Sequence, residues 1–204
     1  MKDVLVICAM GMEARAIPAG YRVVECGPGF RAARAALDAA VAAERPRLVV
    51  SAGTCGALDP GLVIGDVRVV SRIESPLGTF EPRALAGVPA VLRSQDRVAV
   101  TARDKKKLFD DGAEIVDMEA AALAYGCEAH GIEFACIKAV SDLAGEDLPL
   151  DFNLYRDEAG QFQTARIAFA GIMKIADLMR LKRQGTLAVQ QLGEAFESSV
   201  AGIA

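Results

Sequence analysis

Residues 114–126, EIVDMEAAALAYG, run a short apolar strand into a helix rich in alanine and leucine. Two readings of the junction residues Asp117, Met118 and Glu119 are open at this point. In the local one, Ile115 and Val116 end the strand, Asp117 caps the helix, and Glu119 sits in the first turn, where a carboxylate suits the exposed N–H groups. In the other, a strand ending against a helix N-terminus is where an open α/β sheet builds its ligand crevice, so that Met118 and Glu119 line a pocket.

The flanking sequence repeats the same alternation. Residues 3–9 (DVLVICA), 21–27 (YRVVECG), 47–53 (RLVVSAG), VRVVSRIE, RVAVT and EFACIKAVS read as strands. Helices are expected around 11–16, from Phe30 to near Pro46, in the lysine-bearing segment after Thr101, and from Glu119 to His130. GTCGALDPGLVIGD reads as a glycine-rich loop after the third strand, with Gly53 and Gly56 as turn residues, and the stretch through Arg93 has little pattern. From about Gln161 the chain reads as helical. Strands that are apolar on both faces and alternate with helices predict an α/β fold with a largely parallel sheet. One domain spanning 1–204, with a helical C-terminal part, is expected.

Composition narrows the function. The chain has 204 residues and a formal net charge of −4, and its sequence pI is about 5.2 and mean hydropathy +0.27. Its only lysine run is Lys105–Lys107, so the electrostatic footprint of a nucleic-acid binder is missing. The five cysteines, Cys8, Cys26, Cys55, Cys127 and Cys136, show no C-x-x-C spacing and read as reduced core thiols. The one histidine, His130, reads as a last-turn cap before Gly131. No apolar run approaches the length of a membrane span, and the first ten residues do not read as a signal peptide. A cytoplasmic protein without metal or cofactor is the expectation.

Ligand-type residues stand at four strand ends: Glu13 after the first, Gly53 and Thr54 after the third, Glu119 after EIV, and Ser141 with Asp142 after CIKAV. Together with the pieces GME, SAGTCGALDPGLVIGDV, VDMEAAALA and IKAVSDLA, which follow one another across most of residues 3–143, this pattern resembles the purine and uridine phosphorylase superfamily. The resemblance is closest to its 5′-methylthioadenosine/S-adenosylhomocysteine nucleosidase branch. It implies a three-layer αβα sandwich around a mixed, largely parallel sheet, and cleavage of a nucleoside N-glycosidic bond. It further implies Asp142 as the acid at N7 of the purine and Glu13 as the base that activates water. Glu119 then accepts from the ribose hydroxyls, Met118 lies beneath the sugar, and Thr54 stands near the ribose or the nucleophile. These residue types suit the chemistry, because the base leaves as an anion unless protonated and the ribose becomes cationic.

Several positions depart from the nucleosidase pattern. Lys138 stands where an arginine is usual, and Ser51 where phosphorylases carry an arginine, which favours water over phosphate. Gly11 and Arg15 nevertheless have the spacing with which phosphorylases meet phosphate, so Lys138, Arg15 and Gly11 remain candidates for placing phosphate or water. The segment before VDMEA is short and offers VTARDKKKLF where relatives stack an aromatic on the base. This shortening, with the C-terminal sequence, resembles the hopanoid-associated phosphorylases and implies an adenosyl group on a polycyclic lipid. A phosphate-dependent phosphorylase and a non-catalytic nucleoside-binding protein on the same fold are the alternatives. A homo-oligomer is expected.

The C-terminal helix admits two roles. Arg166, Asp177 and Arg180 share a face with Lys174 nearby, Ile167, Ile172, Ile175, Leu178 and Met179 fill the remainder, and Lys182 and Arg183 follow. It packs on the sheet like most amphipathic helices, or its LMRLKRQG end forms a basic-rimmed apolar edge for peripheral contact with an anionic membrane.

Overall fold

Along Val4–Cys8, alternate side chains enter two different cores, and this alternation builds the layers. Leu5 and Ile7 pack with one cluster, and Val4, Val6 and Cys8 with another. The computed structural model describes residues 3–157, 162–163, 166–167, 171 and 174–202. The strands are β1 (Val4–Cys8), β2 (Arg22–Glu25), β3 (Leu48–Ala57), β4 (Val67–Ser75), β5 (Gly78–Phe80), β6 (Pro89–Ser94), β7 (Ile115–Asp117) and β8 (Glu133–Asp142). The helices are α1 (Gly11–Ala16), α2 (Phe30–Ala43), α3 (Ala102–Asp110), α4 (Ala120–His130) and α5 (Ile175–Val200).

One sheet face is covered by α2 and α4, through Ala33, Leu37, Ala120 and Leu123. The other is covered by α1 and the second half of α5, through Ile17, Ala188, Leu192, Phe196 and Val200. The result is the expected three-layer α/β arrangement. The sheet is mixed: β2-β1-β3, β3-β8 and β4-β6-β7 are parallel, whereas β3-β7, β4-β5 and β4-β8 are antiparallel. Strands β3, β7, β6, β4 and β8 therefore close into a ring.

The third strand departs from the expected pattern. It continues through GTCGA, pairing with β8 and, at Gly56 and Ala57, with β7, so this stretch is strand and not loop. Neither Gly53 nor Gly56 turns the chain or has positive φ. RVAVT is not a strand either. Its backbone bonds instead with residues that follow β8: Val100 O accepts from Leu148 N–H (2.8 Å), and Val98 N–H donates to Asn153 Oδ1 (2.9 Å). The patternless stretch contains β5 and β6.

The start of the C-terminal helical part at Gln161, and Ile172 within it, lie outside the described residues. Helix α5 runs to Val200, and its two halves differ. Ala188, Leu192, Phe196 and Val200 recur every fourth residue and are buried, whereas Ile175 (65% exposed), Met179 (51%) and Leu187 (44%) face solvent. Each large buried side chain contributes roughly 1.5–3 kcal/mol, so the second half carries the docking of α5. No helix among the described residues is long and apolar enough to cross a membrane.

Candidate active site

Each strand end brings one polar side chain inward, and the backbone leaves room for it. Beyond β1, helix α1 turns Glu13 onto β3, where it is 1% exposed. Its Oε1 accepts from Thr54 N–H and from the Thr54 hydroxyl, both at 2.8 Å, and its Oε2 accepts from Met10 N–H at 3.0 Å. A carboxylate offers about four acceptor sites, so these donors fix its orientation and leave capacity for one more. A Cβ on Gly53 would stand 3.1 Å from Glu13 Oε1, which explains the glycine: the carboxylate lies directly on the strand.

Gly56 does the same for Asp142, whose Oδ1 would stand 3.0 Å from a Cβ there. The pairing of β3 with β8 slips after Cys55, so that Val140 opposes Cys55 and Asp142 opposes Gly56. Ser141 is the extra residue, and its hydroxyl donates to Cys55 O at 3.1 Å and to Asp142 Oδ2 at 3.2 Å. A bulge of this kind re-aims the side chains beside it, and here the residue it re-aims is Asp142. Glu13 and Asp142 thus rest against positions three residues apart on one strand, β3. Burial pushes the Asp142 carboxyl above its ordinary range, although Lys105 and Ser141 pull the other way.

At the β7–α4 junction the two readings of the sequence divide between the two carboxylates. Asp117 is the cap: its Oδ2 accepts from Ala120 N–H at 3.0 Å, and its Oδ1 from the Ser94 hydroxyl at 2.6 Å. Ser94 in turn accepts from Ala121 N–H at 3.0 Å. Glu119 makes no cap hydrogen bond. It is 7% exposed, and its Oε1 accepts from Gly29 N–H at 2.8 Å. Burial, and next the charge of Asp117, push its pKa up to about 8, against the opposing pull of Lys138 and the Gly29 N–H.

Lys138, suggested by the sequence for phosphate or water, has its ammonium on Asp117 Oδ2 at 2.7 Å and is 3% exposed. Burial opposes its charge, yet Asp117, helped by other anionic neighbours, holds its pKa well above the ordinary lysine value. Arg15 is exposed on α1. A Cβ on Gly11 would meet Glu25 Oε2 at 2.9 Å and Arg15 Nη1 at 3.3 Å, so an anion at Gly11 would face the Glu25 carboxylate. Met118 is half-buried at the bend between Asp117 and Glu119. His130 does more than end its helix, since Nε2 lies 2.8 Å from Asp38 Oδ1 of α2. Cys55 is buried in β3, and burial raises its thiol well above the ordinary range, against a nucleophilic role.

Sequence reasoning missed Lys105, Ser94 and Gly29. Lys105 is fully buried and its ammonium lies on Asp142 Oδ1 at 2.5 Å. Nothing in a run of three lysines singles out the first as the buried one; only Gly29, in a G-P-G turn before a helix, carried a local signal. Two cavities lie elsewhere. One of about 450 Å³ opens between Phe80, Glu128 and Phe134, at the opposite end of β8. The other, about 440 Å³, follows Met179, Arg183 and Leu187 on α5.

The model of the phosphorylase superfamily matches residues 85–176. The 5′-methylthioadenosine/S-adenosylhomocysteine nucleosidase of Bacillus thuringiensis (strain Al Hakam) is 22% identical over 183 residues, covering 72% of this chain and 79% of that protein. The Helicobacter pylori enzyme of the same name, solved with butyl-thio-DADMe-Immucillin-A, superposes with a TM-score of 0.74 at 17% identity, covering 100% of this chain and 99% of that one. The futalosine hydrolase of Helicobacter pylori strain 26695 superposes with a TM-score of 0.73 at 16% identity, covering 98% of this chain and 97% of its own. At such identities the superpositions establish a shared fold. The sequence match to the phosphorylase superfamily thus spans residues 85–176, and the fold is the one these nucleosidases share.

Proposed function

We propose that the protein hydrolyses the N-glycosidic bond of a 5′-modified adenosine and releases adenine. The observation that carries this reading is the placing of Glu13 and Asp142 against Gly53 and Gly56 of one strand, with Glu119 at a neighbouring strand end. In this reading Asp142 gives its proton to N7 while the electron pair of the C1′–N9 bond goes to the purine. Water attacks C1′ and loses its proton to Glu13, which Thr54 and Met10 orient. Glu119 accepts from the 2′- and 3′-hydroxyls and sets negative charge beside the developing cation, and Met118 packs under the sugar. The nucleosidases to which the chain is similar support the reading, and so does the occupation of Lys138 by Asp117, which removes a cation from any phosphate site. Adenine release in phosphate-free buffer, with the free ribosyl sugar as product, is the expected result. Strict dependence on phosphate with a ribosyl 1-phosphate product would reverse the choice of nucleophile.

The exposed half of α5 favours a finer reading, an adenosyl group attached to a polycyclic lipid and presented at a membrane surface. Ile175, Met179 and Leu187 are exposed there beside Arg180, Lys182 and Arg183. Such a basic, apolar face suits anionic headgroups. Co-sedimentation with anionic liposomes is expected at low salt, and is expected to be lost at high salt and in Arg180→Glu/Lys182→Glu. Absence of binding, together with fast turnover of 5′-methylthioadenosine, would favour a small soluble substrate.

A further inference from the structure

Of three consecutive lysines on α3, two are exposed, and Lys106 pairs with Asp110 at the surface. Lys105 turns inward and is fully buried. A buried ammonium is costly unless all its protons are used, and these are: Nζ donates to Asp142 Oδ1 (2.5 Å), Leu143 O (2.7 Å) and Glu146 O (3.1 Å). The helix that delivers it is tied to the same segment. Thr101 caps α3, Ala102 N–H donates to Asp147 Oδ1 at 2.7 Å, and Leu148 N–H to Val100 O at 2.8 Å. Glu146 continues the connection to α5, where Gln184 Nε2 donates to its Oε2 at 3.3 Å.

We propose that Lys105 is a positioning residue for Asp142: its ammonium holds Oδ1 and faces the negative charge that the carboxyl acquires when its proton passes to the leaving base. This inference rests on the nucleosidase reading above. The proton moves from Asp142 to N7, the C1′–N9 electron pair stays with the purine, and Lys105 keeps its three protons throughout. The groups that face Asp142 are Lys105 from α3, the Ser141 hydroxyl, Glu146 from the following segment and Cys55 from β3. Lys105 is the cation among these four, and it opposes the effect of burial on the carboxyl.

The sign of the test follows. Without the cation, burial acts unopposed and Asp142 keeps its proton to higher pH. In Lys105→Met, kcat is expected to fall about 10- to 100-fold, the scale of a misplaced catalytic group. The alkaline limb of the pH–kcat profile is expected to rise by about one pH unit or more. Lys105→Arg should return the limb toward the wild-type position. The Asp142 carboxyl titration, followed by carbon NMR, should move in the same direction whether or not turnover is measured. A folded Lys105→Met protein with both the limb and the carboxyl titration unmoved overturns the proposal. Should that variant fail to fold, Asp142→Asn/Lys105→Met, which carries neither charge, decides. Turnover equal to that of Asp142→Asn supports the proposal, and a further fall as large as that expected for Lys105→Met alone overturns it. Wild type that releases no adenine sinks the nucleosidase reading instead, and the NMR titration then judges the effect of Lys105 by itself.

Discussion

Asp142→Asn is expected to lower adenine release by about two to four orders of magnitude, the range typical of a lost general acid. The asparagine keeps the volume above Gly56, can accept from Lys105 and can be reached by the Ser141 hydroxyl, so the bulge that aims residue 142 persists. What it lacks is a proton to give to N7. The loss should therefore fall on kcat, with substrate affinity changed far less, and single-turnover measurement separates the two. The variant leaves Lys105 as a buried cation without its carboxylate, so some loss of thermal stability accompanies it. Near wild-type turnover in the folded variant would remove Asp142 from the leaving-group role.

Glu119→Gln should weaken binding and turnover together, because hydrogen bonds to the ribose hydroxyls strengthen as the sugar gains charge. Wild-type kcat/KM should rise between about pH 7 and 9 as Glu119, held at about 8, becomes an acceptor of both hydroxyls. The variant should be low and flat across that range. Stability supplies an independent check. An unfolded glutamate loses its proton near 4.5 and the folded one near 8, so between these values the folded state binds more protons and stability falls as pH rises. The slope approaches about 1.4 kcal/mol per pH unit within that window, a limit set by full proton uptake at one site. Denaturant titrations from pH 5 to 8 should show this fall in wild type and lose much of it in Glu119→Gln. Unchanged kinetics in the variant would return Glu119 to a structural part in the helix N-terminus.

Local chemistry carried a good part of this architecture. The apolar runs at 4–8, 48–53 and 133–140 and the alanine-rich helices are periodic over their own length, so strand and helix type could be read before any contact was known. The candidate residues Glu13, Glu119 and Asp142 were legible because each stands at or just past a strand end, where such sheets gather their ligands, whereas Thr54, read at a strand end, lies within β3. At the β7–α4 junction the sequence presented two carboxylates and two roles, cap and ligand. Only the fold assigned the cap to Asp117 and sent Glu119 across to Gly29, since Ser94 and Gly29 belong to segments 23 and 90 residues away. The glycines of SAGTCGA read as a loop because glycine usually marks turns. They are strand residues because two carboxylates occupy the space a Cβ would fill, a constraint that arises only when α1 and β8 are packed on β3. RVAVT reads as a strand by composition, but its backbone groups are claimed by the segment after β8. What the sequence by itself determined is therefore the α/β class, the strand-end residues and the alternation that buries them. What tertiary structure decided is which charges meet: Lys138 with Asp117 and Lys105 with Asp142. Ion pairs between distant segments depend on how the layers bring those segments together, and no local period encodes that.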